Sequence, residues 1–137
     1  PSLAVVVAVP DRVLPTAESR AVLPTEVTLG VAVRTAARIA FLIEGLRTAD
    51  PDAFREAAGD EIHEAPRRRL SPLSFEVASA ARGAGALHAA WSGAGPSVLA
   101  VTTLDNIDVV HHAMEEALGG AGVVLEPGVD REGVRIG

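Results

Sequence analysis

The chain has 137 residues, of which 48% are hydrophobic, and its formal net charge is −6. This length is sufficient for one domain with a substantial core, so we predict a single domain over residues 1–137. The negative charge argues against a general polyanion-binding surface, and we expect no nucleic-acid partner. No apolar stretch approaches the roughly 18 uninterrupted residues of a membrane span, so we expect no membrane association.

The residue types themselves restrict the chemistry that this chain can perform. Cysteine is absent, which excludes disulfide and thiol chemistry and fits a reducing compartment, so we expect a cytoplasmic location. All twelve basic residues are arginine. A bound anion would therefore be held by guanidinium groups, which can grip a carboxylate bidentately, and no lysine is available for a nucleotide phosphate loop.

The first part of the chain predicts one strand and two helices. A β-branched run at Leu3–Val9 predicts a strand that is buried on both faces. A short helix is predicted at Ala17–Val22, where Thr16 can cap the first turn. From Thr25 to Arg47, apolar residues recur every three or four positions and predict a long helix whose apolar stripe faces a core. That stripe comprises Leu29, Val33, Ala36, Ile39, Ala40, Ile43 and Leu46.

Two residue pairs with proline mark further helix starts in the middle of the chain. Asp50-Pro51 predicts a helix to about Glu64 that ends before Pro66, and Ser71-Pro72 predicts one to about Arg82. The remaining predicted elements, in order, are strands at 86–91 and 98–102, a helix at 105–118 and a strand at 123–126. This order predicts a ferredoxin-like (split βαβ) α+β fold, with an antiparallel sheet and helices packed on one face.

A glycine-rich hexapeptide, Ser92-Gly-Ala-Gly-Pro-Ser97, lies between two predicted strands; we call Ser92–Ser97 the glycine loop. Gly93 and Gly95 permit positive φ angles and a close approach of another chain or a ligand, while Pro96 fixes its own φ. The residues of interest are Ser92, Gly93, Ala94 and Gly95. They form either an ordinary hairpin turn or a rigid turn beside a ligand, and without a lysine a phosphate cradle is disfavoured.

Two groups of residues could bind an anion. Thr16 and Arg20 are four residues apart, so both lie on one face of a helical turn and could hold a carboxylate or a small amino acid. Alternatively, Thr16 only caps the turn and Arg20 is solvated. Of the consecutive residues Arg67, Arg68 and Arg69, one could turn inward, but spacing does not decide which. The histidines lack ligand spacing and the acids form no acid–base pair, so we predict no metal site and no catalytic residue.

Two segments resemble the homoserine kinase family, a branch of the GHMP small-molecule kinases. Leu14–Pro24, which reads LPTAESRAVLP, is the more specific one, and Leu87–Ala100, which reads LHAAWSGAGPSVLA, is similar to the third motif of the superfamily. The resemblance extends from about Leu3 to Gly119, and the matching part is the C-terminal half of the proteins in that family.

The resemblance implies roles for particular residues. Thr16 and Arg20 match substrate-side residues, with Arg20 on the carboxylate of the substrate. Arg67 matches a second substrate arginine in a Glu-Pro-x-Arg motif, although Ala65 stands at the proline position here and Pro66 follows it. The glycine loop would border the substrate and pack beside the nucleotide phosphate loop.

The resemblance also implies an activity and partners. The parent enzyme would transfer the γ-phosphoryl group of ATP, with Mg²⁺, to the hydroxyl of L-homoserine and give O-phospho-L-homoserine for threonine biosynthesis. The ATP-binding loop and the Mg²⁺-binding acid of the family have no counterpart here, so we expect a C-terminal fragment that needs the N-terminal half and is inactive alone. A homodimer is also compatible with the family. Two alternatives remain: a mevalonate-type GHMP kinase, and a non-catalytic ferredoxin-like domain that binds an amino acid as a regulator.

Overall fold

The structure, a computed structural model, describes residues 2–130, 132–134 and 136. Its strands are β1 (Leu3–Pro10), β2 (His88–Trp91), β3 (Val98–Thr103) and β4 (Gly122–Leu125). Its helices are α1 (Thr16–Ala21), α2 (Leu29–Thr48), α3 (Pro51–Glu56), α4 (Glu64–Arg67), α5 (Pro72–Gly83) and α6 (Ile107–Leu118), and a 3-10 turn at Leu104–Asn106 leads into α6.

The strands form one antiparallel sheet in the order β2-β3-β1-β4. The two central strands are β1 and β3, and β3 pairs over its whole length with Leu3–Ala8 of β1, with Val6 opposite Ala100. The hairpin β2-β3 lies on one side, and β4 returns to the free edge of β1. This arrangement confirms the predicted ferredoxin-like α+β fold with its split βαβ units.

The core lies between one face of the sheet and helices α5 and α6. Val6 and Ala8 alternate along β1 with residues that are only half-buried, such as Val5 and Val7. The prediction that this strand is buried on both faces is therefore wrong, because α5 and α6 cover one face and the other is incompletely covered. The core cluster consists of Val6, Ala8, Val77, Ala78, Ala81, Ala89, Val98, Ala100, Val110, Met114 and Leu118.

Helix α2 does not pack in the predicted way. Its apolar stripe was expected to face a core, but Leu29 is 81% exposed and Ile43 is 61% exposed. The buried position is Gly45 instead, where an added Cβ would lie 3.0 Å from the ring of Phe54 in α3. Phe54 is fully buried, and its ring centroid lies 6.4 Å from that of His88 in β2. Helix α2 thus contacts the sheet indirectly: its Gly45 face, opposite the apolar stripe, packs on α3, and α3 packs on β2.

The predicted helix from Asp50 to about Glu64 is too long, because α3 covers only Pro51–Glu56 and the next helix, α4, begins at Glu64. Asp50 accepts a hydrogen bond from the Asp52 amide at 3.0 Å and caps α3, as its pairing with proline predicts. Helix α3 ends at Glu56, Gly59 follows with a φ of +85°, and the chain becomes helical again as α4 at Glu64. Pro66 lies inside this short helix rather than after it, because the first turn of a helix tolerates a residue without an amide proton.

Candidate functional site

A cavity of about 740 Å³ lies between α1, α2, α4, β2 and the glycine loop. Its wall is largely apolar, with polar groups contributed by each of these elements and by the turn before α4. The residues that line it are Arg20, Leu23, Thr35, Arg38, Ile39, Leu42, Ala57, Gly59, Asp60, His63, Glu64, Arg67, His88, Ala89, Ala90, Trp91, Gly93 and Ala94. Concave pockets of this size with a few converging polar groups are typical of small-molecule sites.

Arg67 is the arginine that turns inward from the run of three. It is 6% exposed, whereas Arg68 and Arg69 are exposed, and the Arg68 guanidinium lies 3.7 Å from the centroid of a phenylalanine ring on α5. The Nε atom of Arg67 donates to the carbonyl oxygen of Ser19 at 3.2 Å, and its Nη1 atom donates to that of Gly93 at 3.1 Å. One side chain therefore joins α1 to the glycine loop while it lines the cavity.

Ser19 makes a second connection between α1 and the glycine loop. Its hydroxyl is fully buried and donates to the carbonyl oxygen of Ala94 at 2.6 Å. Sequence reasoning singled out Thr16 and Arg20 on this helix and missed the serine between them, because a lone hydroxyl in a short helix carries no distinctive pattern. In the sequence, Ser19 is distinguished only by its position one residue before Arg20.

The two residues predicted on α1 have different positions. Arg20 is exposed and lines the cavity, whereas Thr16 is exposed and is not among the lining residues. Thr16 is the first residue of the helix, and Pro15 occupies the cap position without a side-chain hydrogen bond. The expected capping role of Thr16 is therefore wrong, because the helix begins at that residue rather than after it.

The glycine loop is a closed turn whose conformation depends on its glycines. The Ser92 amide donates to the carbonyl of Ser97 at 2.8 Å, and the Gly95 amide donates to the carbonyl of Ser92 at 3.1 Å. Gly93 has a φ of +59° and Gly95 a φ of +82°. A Cβ on Gly95 would collide with the indole ring of Trp91, which packs directly against the turn.

The loop is also held from the core side, while some of its amides stay available. Ser74 at the start of α5 donates from its hydroxyl to the carbonyl of Pro96 at 2.5 Å, and it shares a 2.7 Å hydrogen bond with Ser71. The amides of Gly93 and Ala94 donate to no group in the described part of the chain. The loop is thus hydrogen-bonded to α5, and the amides of Gly93 and Ala94 point to no partner among the described residues.

Glu64 and Arg82 bind the outer edge of β2, the strand that leads into the glycine loop. The Trp91 amide donates to Oε1 of Glu64 at 3.1 Å, and Nη1 of Arg82 donates to the carbonyl of Ala89 at 2.8 Å. Burial raises the pKa of Glu64, which the Trp91 amide and the charge of Arg82 oppose. Glu64 and Arg67 share helix α4, so this short helix fixes both β2 and the glycine loop. No pattern in the sequence marks Glu64 for this role, because its partner Trp91 is 27 residues away.

Other titratable side chains at or near the cavity form hydrogen bonds or ion pairs with one another, and one histidine has a lowered pKa. Oδ1 of Asp60 accepts from the His63 amide at 2.8 Å, and its Oδ2 lies 2.8 Å from Nδ1 of the same histidine. Glu61 binds both Arg34 and Arg38 of α2, which lowers its pKa to about 2. Burial lowers the pKa of His88, which lies under Phe54.

The charged side chains of this wall suit the binding of a small charged molecule. Arg20 and Arg67 offer positive charge and Asp60 and Glu64 offer negative charge, a combination that complements a small zwitterion. The carboxylate of Asp60 is engaged with the amide and ring of His63, and that of Glu64 with the Trp91 amide.

Over residues 2–130, 132–134 and 136, no group of three His, Asp or Glu side chains could hold a metal ion. The chain also has no lysine for nucleotide phosphates. In the same part of the chain, no helix is both long and apolar enough to cross a bilayer.

Comparison with known proteins places this fold in a family. The sequence matches the family described as GHMP kinases C terminal over residues 42–120, more than half of the chain. It is 41% identical over 136 residues to the homoserine kinase of Gloeobacter violaceus. The aligned region covers 99% of this chain and 45% of that protein. It is also 41% identical over 122 residues to the homoserine kinase of Synechococcus sp. (strain CC9311). Here the aligned region covers 89% of this chain and 39% of that protein. The chain thus spans less than half the length of these curated relatives.

Two solved kinase structures are also similar to this chain. The crystal structure of homoserine kinase from Cytophaga hutchinsonii is similar with a TM-score of 0.84 at 28% identity, over 93% of this chain and 42% of that chain. The L. major mevalonate kinase is similar with a TM-score of 0.66, over 91% of this chain and 42% of that chain. At 14% identity, this second likeness shows the fold alone. The chain therefore belongs to the GHMP kinases, and it corresponds to their C-terminal domain.

Proposed function

We propose that this chain is the substrate-side domain of a homoserine kinase, which transfers the γ-phosphoryl group of ATP to the hydroxyl of L-homoserine. The product, O-phospho-L-homoserine, would feed threonine biosynthesis. The observation that carries the proposal is that Arg20 and Arg67, from two separate helices, line one cavity beside the glycine loop. The 41% identity to relatives named homoserine kinase supports this substrate over others in the superfamily.

The amino-acid substrate is bound through its carboxylate. Arg20 is exposed at the cavity and can form a charge-assisted pair, and the buried Arg67 keeps N–H groups beyond the two that bind Ser19 and Gly93. Thr16 lies one helical turn before Arg20 and outside the cavity lining, and in this proposal its hydroxyl contacts the substrate beside Arg20. The role of these residues is to orient the substrate, since phosphoryl transfer depends mainly on positioning and charge stabilisation.

ATP and Mg²⁺ are held by an N-terminal half of the same enzyme. The match covers only 45% of the length of a relative, and this supports the division because the rest of such a chain is long enough for a second domain. The glycine loop, Ser92 to Gly95 with its unpaired amides, borders the nucleotide phosphates from this side. We assign no general base to this chain.

A substrate panel on the polypeptide that carries this chain with its N-terminal half tests the proposal. Phosphorylated products are followed by ³¹P NMR with ATP, Mg²⁺ and each of L-homoserine, L-threonine and mevalonate. Turnover of L-homoserine in preference to the others is expected. A preference for mevalonate would favour a mevalonate-type kinase, and tight binding of an amino acid without any turnover would favour a regulatory domain.

The 137-residue chain by itself gives a second test. Without a nucleotide half, it is expected to show no kinase activity and weak or no ATP binding by calorimetry. Turnover of L-homoserine by this chain alone would contradict the division of the site.

A further inference from the structure

Two consecutive main-chain carbonyls of the glycine loop are bound by side chains from outside the loop. The Gly93 carbonyl accepts from Nη1 of Arg67 at 3.1 Å, and the Ala94 carbonyl accepts from the hydroxyl of Ser19 at 2.6 Å. The Nε atom of Arg67 in turn donates to the main-chain carbonyl of Ser19 at 3.2 Å. Both side chains are buried, and a low-dielectric environment strengthens hydrogen bonds of this kind.

These bonds determine where the amides of the turn point. The carbonyl and the amide of a trans peptide point in opposite directions, so the Ala94 amide points away from Arg67, which holds the Gly93 carbonyl. By the same rule the Gly95 amide points away from Ser19 and back into the turn, where it is hydrogen-bonded. Of these two amides, that of Ala94 has no acceptor in the described part of the chain. It remains available to an acceptor on a bound molecule.

The two peptide planes of this turn differ in how easily they rotate. Ala94 has a negative φ, and rotation of the Gly93–Ala94 peptide would make that φ positive, which is sterically unfavourable for a residue with a Cβ. Rotation of the Ala94–Gly95 peptide instead reverses the sign of φ at Gly95, now +82°, and glycine accepts both signs. It would also break the hydrogen bond from the Gly95 amide to the Ser92 carbonyl and open the turn. The Ser19 hydroxyl binds the carbonyl of this second peptide, whose rotation the backbone itself permits.

We propose that Ser19 is a positioning residue for phosphoryl transfer, an inference that rests on the proposed function. Its hydroxyl keeps the turn closed, and the closed turn holds the Ala94 amide toward the negative charge that develops on the transferred phosphoryl group. A donor that is already oriented toward developing charge stabilises it more than a donor that must first reorganise. Ser19 itself is not among the residues that line the cavity, so it acts through the loop and touches neither substrate.

Steady-state kinetics of Ser19→Ala in the full-length enzyme test the proposal. Loss of an oriented donor lowers kcat about 10²–10³-fold, so a donor that is only misplaced is expected to lower kcat about tenfold or more. The KM for L-homoserine should change less than about threefold, because the interaction that is lost acts in the transition state and not on the bound substrate. The matched control is Ser71→Ala, which removes another buried hydroxyl, one that binds Ser74 and not a loop carbonyl. It is expected to leave kcat nearly unchanged.

Ser19→Thr keeps a hydroxyl donor at this position and is expected to retain most of the wild-type kcat. A kcat for Ser19→Ala equal to that of the wild type would overturn the proposal, and so would an equal loss in Ser71→Ala or in Ser19→Thr. A raised KM for L-homoserine with kcat unchanged would show a role in substrate binding and would also overturn it. If urea unfolding shows that Ser19→Ala does not fold, Ser19→Cys replaces it, since a thiol is a weaker donor of similar size, and an unchanged kcat there would equally overturn it.

The substrate panel separates this inference from the proposed function. If the wild type phosphorylates mevalonate or L-threonine in preference to L-homoserine, the proposed substrate is rejected, and the kcat ratio measured with the preferred substrate still tests Ser19. If the wild type and Ser19→Ala phosphorylate L-homoserine equally fast, the positioning role is rejected and the substrate is supported. A wild type that phosphorylates none of the three would reject both.

Discussion

The Nη1 atom of Arg67 lies 3.1 Å from the carbonyl oxygen of Gly93, so the buried arginine of α4 holds the first glycine of the loop. The Nε atom of the same side chain binds the carbonyl of Ser19 in α1. Arg67 therefore determines the relative positions of the elements that line the cavity, in addition to the ligand-binding role proposed for it.

Replacement of Arg67 by methionine is expected to destabilise the domain. The change leaves the carbonyls of Ser19 and Gly93 without their donor, and a hydrogen bond to a charged group contributes about 1.5–3 kcal/mol. We expect a loss of about 2–4 kcal/mol in the free energy of unfolding, measured by urea titration. The matched control is Arg69→Met, since Arg69 is exposed, and it is expected to change stability by less than about 0.5 kcal/mol. Equal effects of the two changes would contradict the structural role.

Replacement of Arg20 by alanine is expected to affect substrate binding rather than stability. In the full-length enzyme, loss of one charged contact should raise the KM for L-homoserine about ten- to a hundredfold and leave the KM for ATP nearly unchanged. Steady-state kinetics with each substrate varied in turn measures both values. Arg69→Ala serves as the control for loss of a positive charge outside the cavity. A similar increase in both KM values would contradict the carboxylate assignment.

Two glycines of the loop are expected to differ in their tolerance of alanine. Gly95→Ala introduces a Cβ against the Trp91 indole at a φ of +82°, so left-handed strain adds to overpacking, each about 1–3 kcal/mol. At Gly93 the φ is +59° and no atom lies within 4 Å of an added Cβ. Gly93→Ala therefore costs only the left-handed backbone strain, about 1–2 kcal/mol. Thermal unfolding of the two variants should therefore rank Gly95→Ala as the less stable, and the reverse order would contradict the packing against Trp91.

The half-buried carboxyl of Glu64 predicts a pH dependence of stability. Burial raises its pKa above the ordinary 4.5, so the folded state binds this proton more tightly than the unfolded state does. Its contribution to the free energy of unfolding is therefore full below about pH 4.5 and decreases as pH rises through the folded pKa. Glu64→Gln keeps an oxygen acceptor for the Trp91 amide and removes the titration.

Urea unfolding of both proteins from pH 4 to pH 7 measures the effect. The Glu64→Gln variant should gain stability relative to the wild type as pH rises over this range. A variant that instead loses stability relative to the wild type toward pH 7 would mean that the folded pKa is lowered. Glu64→Leu, which also removes the acceptor, should be less stable than Glu64→Gln at every pH.

Much of the fold could be predicted from sequence because its signals are local. The β-branched run of β1 and the cap at Asp50 led to the correct strand and helix start. The order of elements then led to the ferredoxin-like sheet, since a hairpin between two helical segments has few compact arrangements. The family resemblance selected Arg67 from three consecutive arginines, which spacing could not do.

The errors arose where a pattern depends on distant parts of the chain. The periodicity of α2 correctly predicts an apolar side, but it does not tell what covers that side. Ser19 and Glu64 went unnoticed because each binds a main-chain group far away in sequence, at Ala94 and at Trp91. Contacts of this kind depend on tertiary position and leave no spacing in the sequence.

The outer edge of β2 has a consequence for association between molecules. Edge strands with unpaired main-chain groups can accept a strand from another chain and so begin aggregation. Here the Trp91 amide is bound to Glu64 and the Ala89 carbonyl to Arg82. An incoming strand would have to displace two charged side chains before it could pair, so growth of the sheet from this side is blocked.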